Sequence, residues 1–344
     1  MLTVQIVLFD GFDLMDAIAP YEVFCAAGAA ARGTLHVEFV AAEGAGLVTS
    51  GVNGLKIEAQ SKLSLDHKGI ILVPGAAGEV EGDSPDAIPV ILNRAVNTAL
   101  TGILEQALQQ PDIVVATVCG GSLVLAMGGL LEGRPAVTHH MGMGLLEAAG
   151  ALPVTARVVD DGNLVTGGGV TSGLDVALHL VERELGPRIA HAVERLFEYE
   201  RRGTVWRNHG IVPRSGGAVR ELPSAPCRPQ AAADNGEAPA FDGEWDATIT
   251  TPVGKLEVKL RIRSDNGILQ GTATMGEEVS PFLDPELDGR MLRWSLRIMK
   301  PMRLNLKFEA EVDGDRMTGT AKVGVLPVSK LTGKRVWHEG GKHE

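Results

Sequence analysis

The segment that most constrains this chain runs from a strand through a cysteine into a helix. Asp112-Ile-Val-Val-Ala-Thr-Val118 is continuously apolar and β-branched, as a strand covered on both faces must be. Cys119-Gly120-Gly121-Ser122 follows, and then Leu123-Val-Leu-Ala-Met-Gly-Gly-Leu-Leu131, which has helical length and apolar content. The glycines permit a tight turn and a close backbone approach. A thiol there lies at a helix N-terminus, where unpaired N–H groups favour the thiolate. A free cysteine is also often a small core hydrophobe, but the two glycines favour a functional thiol.

Length and charge bound the rest. The 344 residues, 44% apolar, allow two domains and a sizeable core. The net charge of −11 opposes nucleic acid or an anionic membrane surface as partner. No apolar run approaches the ~20 residues of a membrane span. The chain opens on a strand-like run, Thr3-Val-Gln-Ile-Val-Leu-Phe9, with no basic region before it, so no signal peptide is expected. Cys25, Cys119 and Cys227 fit no CxxC or zinc spacing. The expectation is therefore a cytoplasmic protein with reduced thiols and no metal or cofactor.

Charge also divides the chain. From Pro239 onward there are 16 basic and 16 acidic residues, so the whole deficit lies upstream. Residues 203–240 are rich in proline, glycine and small side chains, without apolar periodicity, and read as a linker that contains Cys227. The expected organisation is an α/β domain over 1–202, the linker 203–240, an antiparallel β domain over 241–337 and a tail over 338–344.

In the first domain, strands are expected at 3–9, 35–41, 69–73, 112–118, 135–138 and 163–166. Helices are expected at 17–31, 86–109, 122–131, 141–149, 173–185 and 187–201. Such alternation implies a mainly parallel sheet with helices on both faces. Ligands then bind beyond the carboxyl ends of the strands, which selects a short set of residues. Asp16 is either the N-cap of the helix 17–31 or a carboxylate aimed at the thiol, and spacing alone favours the cap. Glu22 lies further along that helix. The turn Pro74-Gly75-Ala76-Ala77-Gly78 offers backbone N–H groups to a developing negative charge. His139 and His140 follow the strand 135–138, where neighbours would face opposite sides. Thr171 or Ser172 would cap the helix that Asp175 opens. No G-x-G-x-x-G and no Walker lysine is present.

Five stretches in order resemble the DJ-1/PfpI superfamily, the class I glutamine amidotransferase-like proteins. They are Met15-Asp-Ala-Ile-Ala-Pro-Tyr-Glu-Val-Phe24; Val73-Pro-Gly75; Val118-Cys-Gly-Gly-Ser-Leu-Val-Leu-Ala126 with Gly129-Leu-Leu-Glu-Gly-Arg134; Ala136-Val-Thr-His139; and Val165-Thr-Gly-Gly-Gly-Val-Thr-Ser-Gly-Leu-Asp175. The likeness spans roughly residues 1–201 and is strongest to isonitrile hydratases and to the related domains of AraC-type regulators. It implies a flavodoxin-like parallel sheet sandwiched by helices and a homodimer formed through that domain. It makes Cys119 the elbow nucleophile and Asp16 the acidic residue that hydrogen-bonds it. Gly75 and Gly120, with Ala76 beside them, supply backbone N–H groups; His139 stands near the site, and Glu22, His140 and Thr171 are possible pocket residues. Isonitrile hydratases usually carry Thr where this chain has Gly120, and Trp where it has His140. No helix-turn-helix pattern follows residue 201.

The second half alternates with period two. Leu256, Val258, Leu260 and Ile262 share one face, as do Leu292, Trp294, Leu296 and Ile298, and Leu304, Leu306, Phe308 and Ala310. Asn266-Gly267, Asp288-Gly289 and Asp313-Gly314 mark hairpins. A small closed antiparallel barrel or a curved sheet follows, lipocalin-like only in outline, with its interior filled by side chains. Lys300-Pro-Met-Arg303 reads as a solvated connection.

The functional expectation is an enzyme in which Asp16 protonates the terminal carbon of an isonitrile as Cys119 attacks it, and water then releases an N-substituted formamide. The same layout suits carbonyl or other natural-product substrates. A non-catalytic redox-sensing or ligand-binding protein is the alternative.

Overall fold

The computed structural model describes residues 1–80, 82, 84–211, 241–251, 254–265, 268–276, 278–288, 291–298, 304–322 and 329–336. Cys227, most of the expected linker, the tail and the connections at Asn266-Gly267, Gly289 and Lys300–Arg303 lie outside these residues.

The elements run β1 (Leu2–Val7), α1 (Leu14–Ala30), β2 (Leu35–Ala41), β3 (Gly46–Thr49), β4 (Lys56–Ala59), β5 (Ser61–Lys62), β6 (Gly69–Val73), α2 (Ile88–Val96), α3 (Leu100–Leu108), β7 (Ile113–Thr117), α4 (Gly121–Met127) and β8 (Pro135–Ala136). A 3-10 turn at His140–Gly142 leads to α5 (Met143–Ala148), β9 (Leu152–Pro153), β10 (Val158–Asp160), β11 (Leu164–Gly167), α6 (Ser172–Leu185), α7 (Pro187–Phe197) and β12 (Trp206–Arg207). One sheet has the order β12-β10-β11-β7-β6-β1-β2-β5. It is parallel throughout except for the β10–β11 pair. Its central strands are buried on both faces: all five residues of Gly69–Val73 are inaccessible, as are Val4, Ile6 and Val7. Continuous apolar runs, rather than alternation, follow from that double cover.

Three local expectations are corrected. The helix expected over 86–109 is two helices. Asn97 Nδ2 bonds back to the Asn93 carbonyl, and Thr98 Oγ1 to that of Ala95, each at 2.7 Å, so side chains take over from the helical ladder. The segment 135–138 is not a strand of the main sheet, because Pro135–Ala136 pairs with Leu152–Pro153 in a two-stranded ribbon. The main sheet uses Val158–Asp160 instead. Finally, Trp206–Arg207, within the expected linker, forms the edge strand beside β10, and the ribbon β3–β4 was not anticipated. These strands are too short to show periodicity.

The C-terminal part is antiparallel. Its strands are β13 (Gly243–Thr251), β14 (Gly254–Asp265), β15 (Ile268–Met275), β16 (Glu278–Pro281), β17 (Leu283–Asp288), β18 (Met291–Ile298), β19 (Leu304–Asp313), β20 (Arg316–Lys322) and β21 (Ser329–Val336). They form a sheet of nine strands, among the described residues, in the order β16-β15-β14-β13-β21-β20-β19-β18-β17. The two ends approach: Ser280 Oγ on β16 donates to the Arg297 carbonyl on β18 at 3.0 Å, which nearly closes a barrel. The period-two faces point inward, burying Trp245, Leu260, Ile262, Leu292, Trp294 and Phe308. Phe282, Trp294 and Phe308 stack with ring centroids 4.9 Å apart. Gly314, at φ +56°, makes the turn between Asp313 and Arg316 that the Asp-Gly pair announced.

Candidate active site

Cys119 sits at the carboxyl end of β7 with φ +55°, a left-handed conformation that costs a non-glycine residue energy. Its surroundings hold it there. The Cys119 N–H donates to the carbonyls of Gly167 (3.1 Å) and Gly168 (2.8 Å), and its carbonyl accepts from Thr138 Oγ1 at 2.7 Å. Below the turn, Thr117 Oγ1 and Ser122 Oγ lie 2.6 Å apart, and Ser122 Oγ donates to the Val137 carbonyl. Gly121 is needed because a Cβ there would lie 2.1 Å from the Val73 carbonyl oxygen. Gly120, with its nearest neighbours at 3.4 Å, leaves room for one.

Asp16 is not the cap of α1. Asp13 is: its Oδ1 accepts from the N–H groups of Met15 (2.9 Å) and Asp16 (3.2 Å). Helix α1 begins three residues earlier than expected, which places Asp16 in its first turn, facing inward and fully buried. Asp16 Oδ2 accepts the Gly75 N–H at 2.9 Å. Oδ1 is buried and has no hydrogen-bond partner of regular geometry. The Cys119 thiol abuts this carboxyl, close enough for each group to shift the other's titration.

Burial, then the charge of Asp13, pushes the Asp16 carboxyl up to about 8, against the Gly75 N–H, which favours the charged form. Burial, then the Asp16 charge, pushes the Cys119 thiol up as well, although the Gly120 N–H opposes this. The thiolate expected from the helix N-terminus is therefore corrected: α4 is short, and burial beside a carboxyl outweighs it. His139 is pushed down by burial and by His140.

The other candidates fall into two groups. The Gly75 N–H is committed to Asp16, so it is not a free donor as expected. The Ala76 N–H takes no acceptor among the described residues and lies 3.6 Å from the position of a Cβ on Gly120. The Gly120 N–H faces the thiol, and the Ala76 nitrogen lies next to Gly120. His139 flanks the elbow, its ring 3.2 Å from where a Cβ on Gly169 would lie. His139 and His140 do not face opposite sides; they cap and open a 3-10 turn, and their rings lie 4.4 Å apart. Glu22 is exposed, and its charge acts on Tyr21 and Cys25 rather than on the thiol. Thr171 makes no side-chain cap bond and instead accepts from Arg157 at 3.1 Å. Arg157 also clamps the buried Asp175.

Three features escaped the sequence reading. Thr138 was visible only as part of a motif. Asp13, three residues before Asp16, carried the signal of a cap followed by an acidic third position. The cluster in which buried Asp160 meets buried His179 (2.8 Å) and the more exposed Arg207 (3.3 Å) and Arg183 (3.4 Å) joins β10, β12 and α6 and had no sequence signature.

A parallel α/β sheet with a strained cysteine at a strand-to-helix elbow, beside a buried carboxyl, defines a class of thiol-centred proteins. The model of the DJ-1/PfpI family matches residues 2–183, and the chain belongs to that family. Over 85 residues it is 51% identical to an isonitrile hydratase of Pseudomonas putida, covering 25% of this chain and 37% of that one. Over 192 residues it is 28% identical to the HTH-type transcriptional regulator CdhR of Pseudomonas aeruginosa, covering 55% and 53%. The chain thus spans between about a third and a half of the length of these curated relatives. Among solved structures, a ThiJ/PfpI family protein from Pseudomonas syringae is 26% identical, with 59% of this chain and 76% of that one covered at a TM-score of 0.49. Drosophila melanogaster DJ-1beta is 20% identical, with 58% and 98% covered, also at 0.49.

Proposed function

We propose that this chain is a cysteine-dependent lyase that adds water to isonitriles and releases N-substituted formamides. The observation that carries this reading is the Asp16–Cys119 pair, a fully buried carboxyl set against the buried elbow thiol, with burial pushing both groups toward their protonated forms. An isonitrile carbon needs a proton as the nucleophile arrives. The Asp16 carboxyl gives its proton to that carbon, the sulfur–carbon bond forms, and the carboxylate so created takes the thiol proton. The product of this step is a thioimidate on Cys119, with Asp16 protonated again. Water then adds to the same carbon and one of its protons goes to nitrogen; the carbon–sulfur bond breaks as the carbonyl forms, and the other water proton goes to sulfur. The Ala76 and Gly120 N–H groups are the donors for the negative charge that develops on the substrate nitrogen as water attacks.

The similarity to the P. putida hydratase supports the substrate class. The longer similarity to CdhR supports a second reading, in which the same pocket binds a small molecule without turnover. In either case the partner is a small molecule, and the α/β domain pairs with a second copy. A panel of small isonitriles, with formamide followed in wild type, Cys119→Ala and Asp16→Asn, separates the two. Turnover lost in both variants supports the lyase; no turnover in wild type removes it.

A further inference from the structure

We propose that Asp13 is a positioning residue that keeps Asp16 in its proton-donating form, an inference that rests on reading Asp16 as the acid. The geometry ties the Asp13 backbone and the Asp16 carboxyl to one peptide segment, and the Asp13 carboxyl to the Asp16 backbone. The Asp13 N–H donates to the Gly75 carbonyl at 2.8 Å, while the Gly75 N–H donates to Asp16 Oδ2 at 2.9 Å. Asp13 Oδ1 in turn accepts the Asp16 N–H. The two side chains therefore cannot drift apart without breaking the cap of α1 or the Gly75 turn.

Their surroundings are unequal. Asp13 is half-buried, and its carboxylate is answered by two N–H groups of the first helical turn. Asp16 is fully buried, receives one N–H, and leaves Oδ1 without a partner of regular geometry. Of two like charges held together, the one with the poorer surroundings keeps its proton. The titratable groups facing Asp16 are Asp13 from α1 and Cys119 from the elbow; the Gly75 segment contributes only backbone, and His139 stands on the far flank beside Gly169. Among the described residues, none of the influences acting on Asp16 or on Cys119 is cationic. Burial raises Asp16 most, and among the described residues the charge on Asp13 is the side-chain influence that adds to it.

Asn and Ser both cap helices without a charge, so Asp13→Asn and Asp13→Ser remove the charge and keep the cap. The test follows the Asp16 carboxyl by 13C NMR against pH in the full chain, with Asp16→Asn to assign the resonance. The wild-type midpoint is expected at about 8, and both Asp13 variants are expected to lower it by about one pH unit. The alkaline limit of isonitrile turnover should fall by the same interval. A midpoint unmoved in both variants overturns the role of Asp13. A wild-type midpoint in the ordinary carboxylate range overturns the acid reading beneath it. A midpoint that moves in a protein without isonitrile turnover keeps Asp13 in its role and removes the hydratase reading.

Discussion

The backbone N–H of Gly75 donates to Oδ2 of Asp16 at 2.9 Å, across 59 residues of sequence. This bond decides how the site divides its labour. It orients the carboxyl beside Cys119, and it removes Gly75 from the donors that a reacting group can use. The Gly120 N–H is then the backbone donor that faces the thiol.

The crowding at Gly75 makes it intolerant of any side chain. A Cβ would lie 2.6 Å from the Gly120 nitrogen and 2.8 Å from Asp16 Oδ2. Gly75→Ala should lower isonitrile turnover by about a hundredfold, a misplaced-acid effect. Gly120→Ala, with its nearest neighbours at 3.4 Å, should stay within about threefold of wild type. Parallel steady-state kinetics on the two variants checks the contrast; equal losses would refute it.

The raised carboxyl makes a stability prediction with a definite sign. In the unfolded chain Asp16 titrates near the ordinary value of about 3.9, and in the fold at about 8. The folded state therefore holds the extra proton between these values, and stability is lost as pH rises from about 4 toward 8. Asp16→Asn keeps an acceptor for Gly75 and does not titrate. Its thermal midpoint should gain on wild type steadily across that window, which a pH series of melting curves measures.

The left-handed backbone at Cys119 stores strain that glycine would not feel. Cys119→Gly should recover about 1 kcal/mol relative to Cys119→Ala, since both lack the sulfur and only alanine keeps the φ +55° penalty. Chemical denaturation of the pair reads this directly, and an alanine variant at least as stable as the glycine variant would contradict it.

Thr138 holds the elbow from below. Thr138→Val keeps the shape and removes the bond to the Cys119 carbonyl. A loss of about 1–2 kcal/mol in stability is expected, together with a fall in turnover at unchanged KM, because the residue positions sulfur rather than substrate. A change in KM alone would point to a different role.

The buried Asp160 cluster should govern tolerance of acid. Its bond to His179, the Gly162 N–H and the nearby Arg183 hold the Asp160 carboxyl down at about 2, against its burial. A depressed carboxyl contributes stability above its unfolded value that is lost as pH falls through its folded one. Asp160→Asn should therefore cost about 2 kcal/mol at neutral pH, and the deficit should shrink between pH 4 and 2. Unfolding curves at pH 7 and pH 3 test it.

Much of this was legible in the chain. The apolar run ending at Val118, the glycines after Cys119 and the alternation of Leu292, Trp294 and Leu296 are local patterns. They report burial on two faces, a tight turn and a one-sided strand, whatever the rest of the fold does. The five motif stretches brought Cys119, Asp16, Gly75 and Gly120 to one place before any coordinates did, although the Gly75 N–H serves Asp16 rather than a reacting group. Segments of two or three residues, such as Val158–Asp160 and Trp206–Arg207, are too short to carry a period, so their place in the sheet was not legible.

Sequence alone therefore determined the alternating α/β order, the cysteine elbow and the inward faces of the barrel, because each depends on neighbours within a turn or a strand. Tertiary structure alone decided that Asp16 is buried against Cys119, that the Gly75 N–H serves its carboxyl, and that burial pushes both the carboxyl and the thiol up. Those outcomes depend on burial and on contacts between residues far apart in the chain, and the free energy of a buried charge is set by what surrounds it, not by the order of residues beside it.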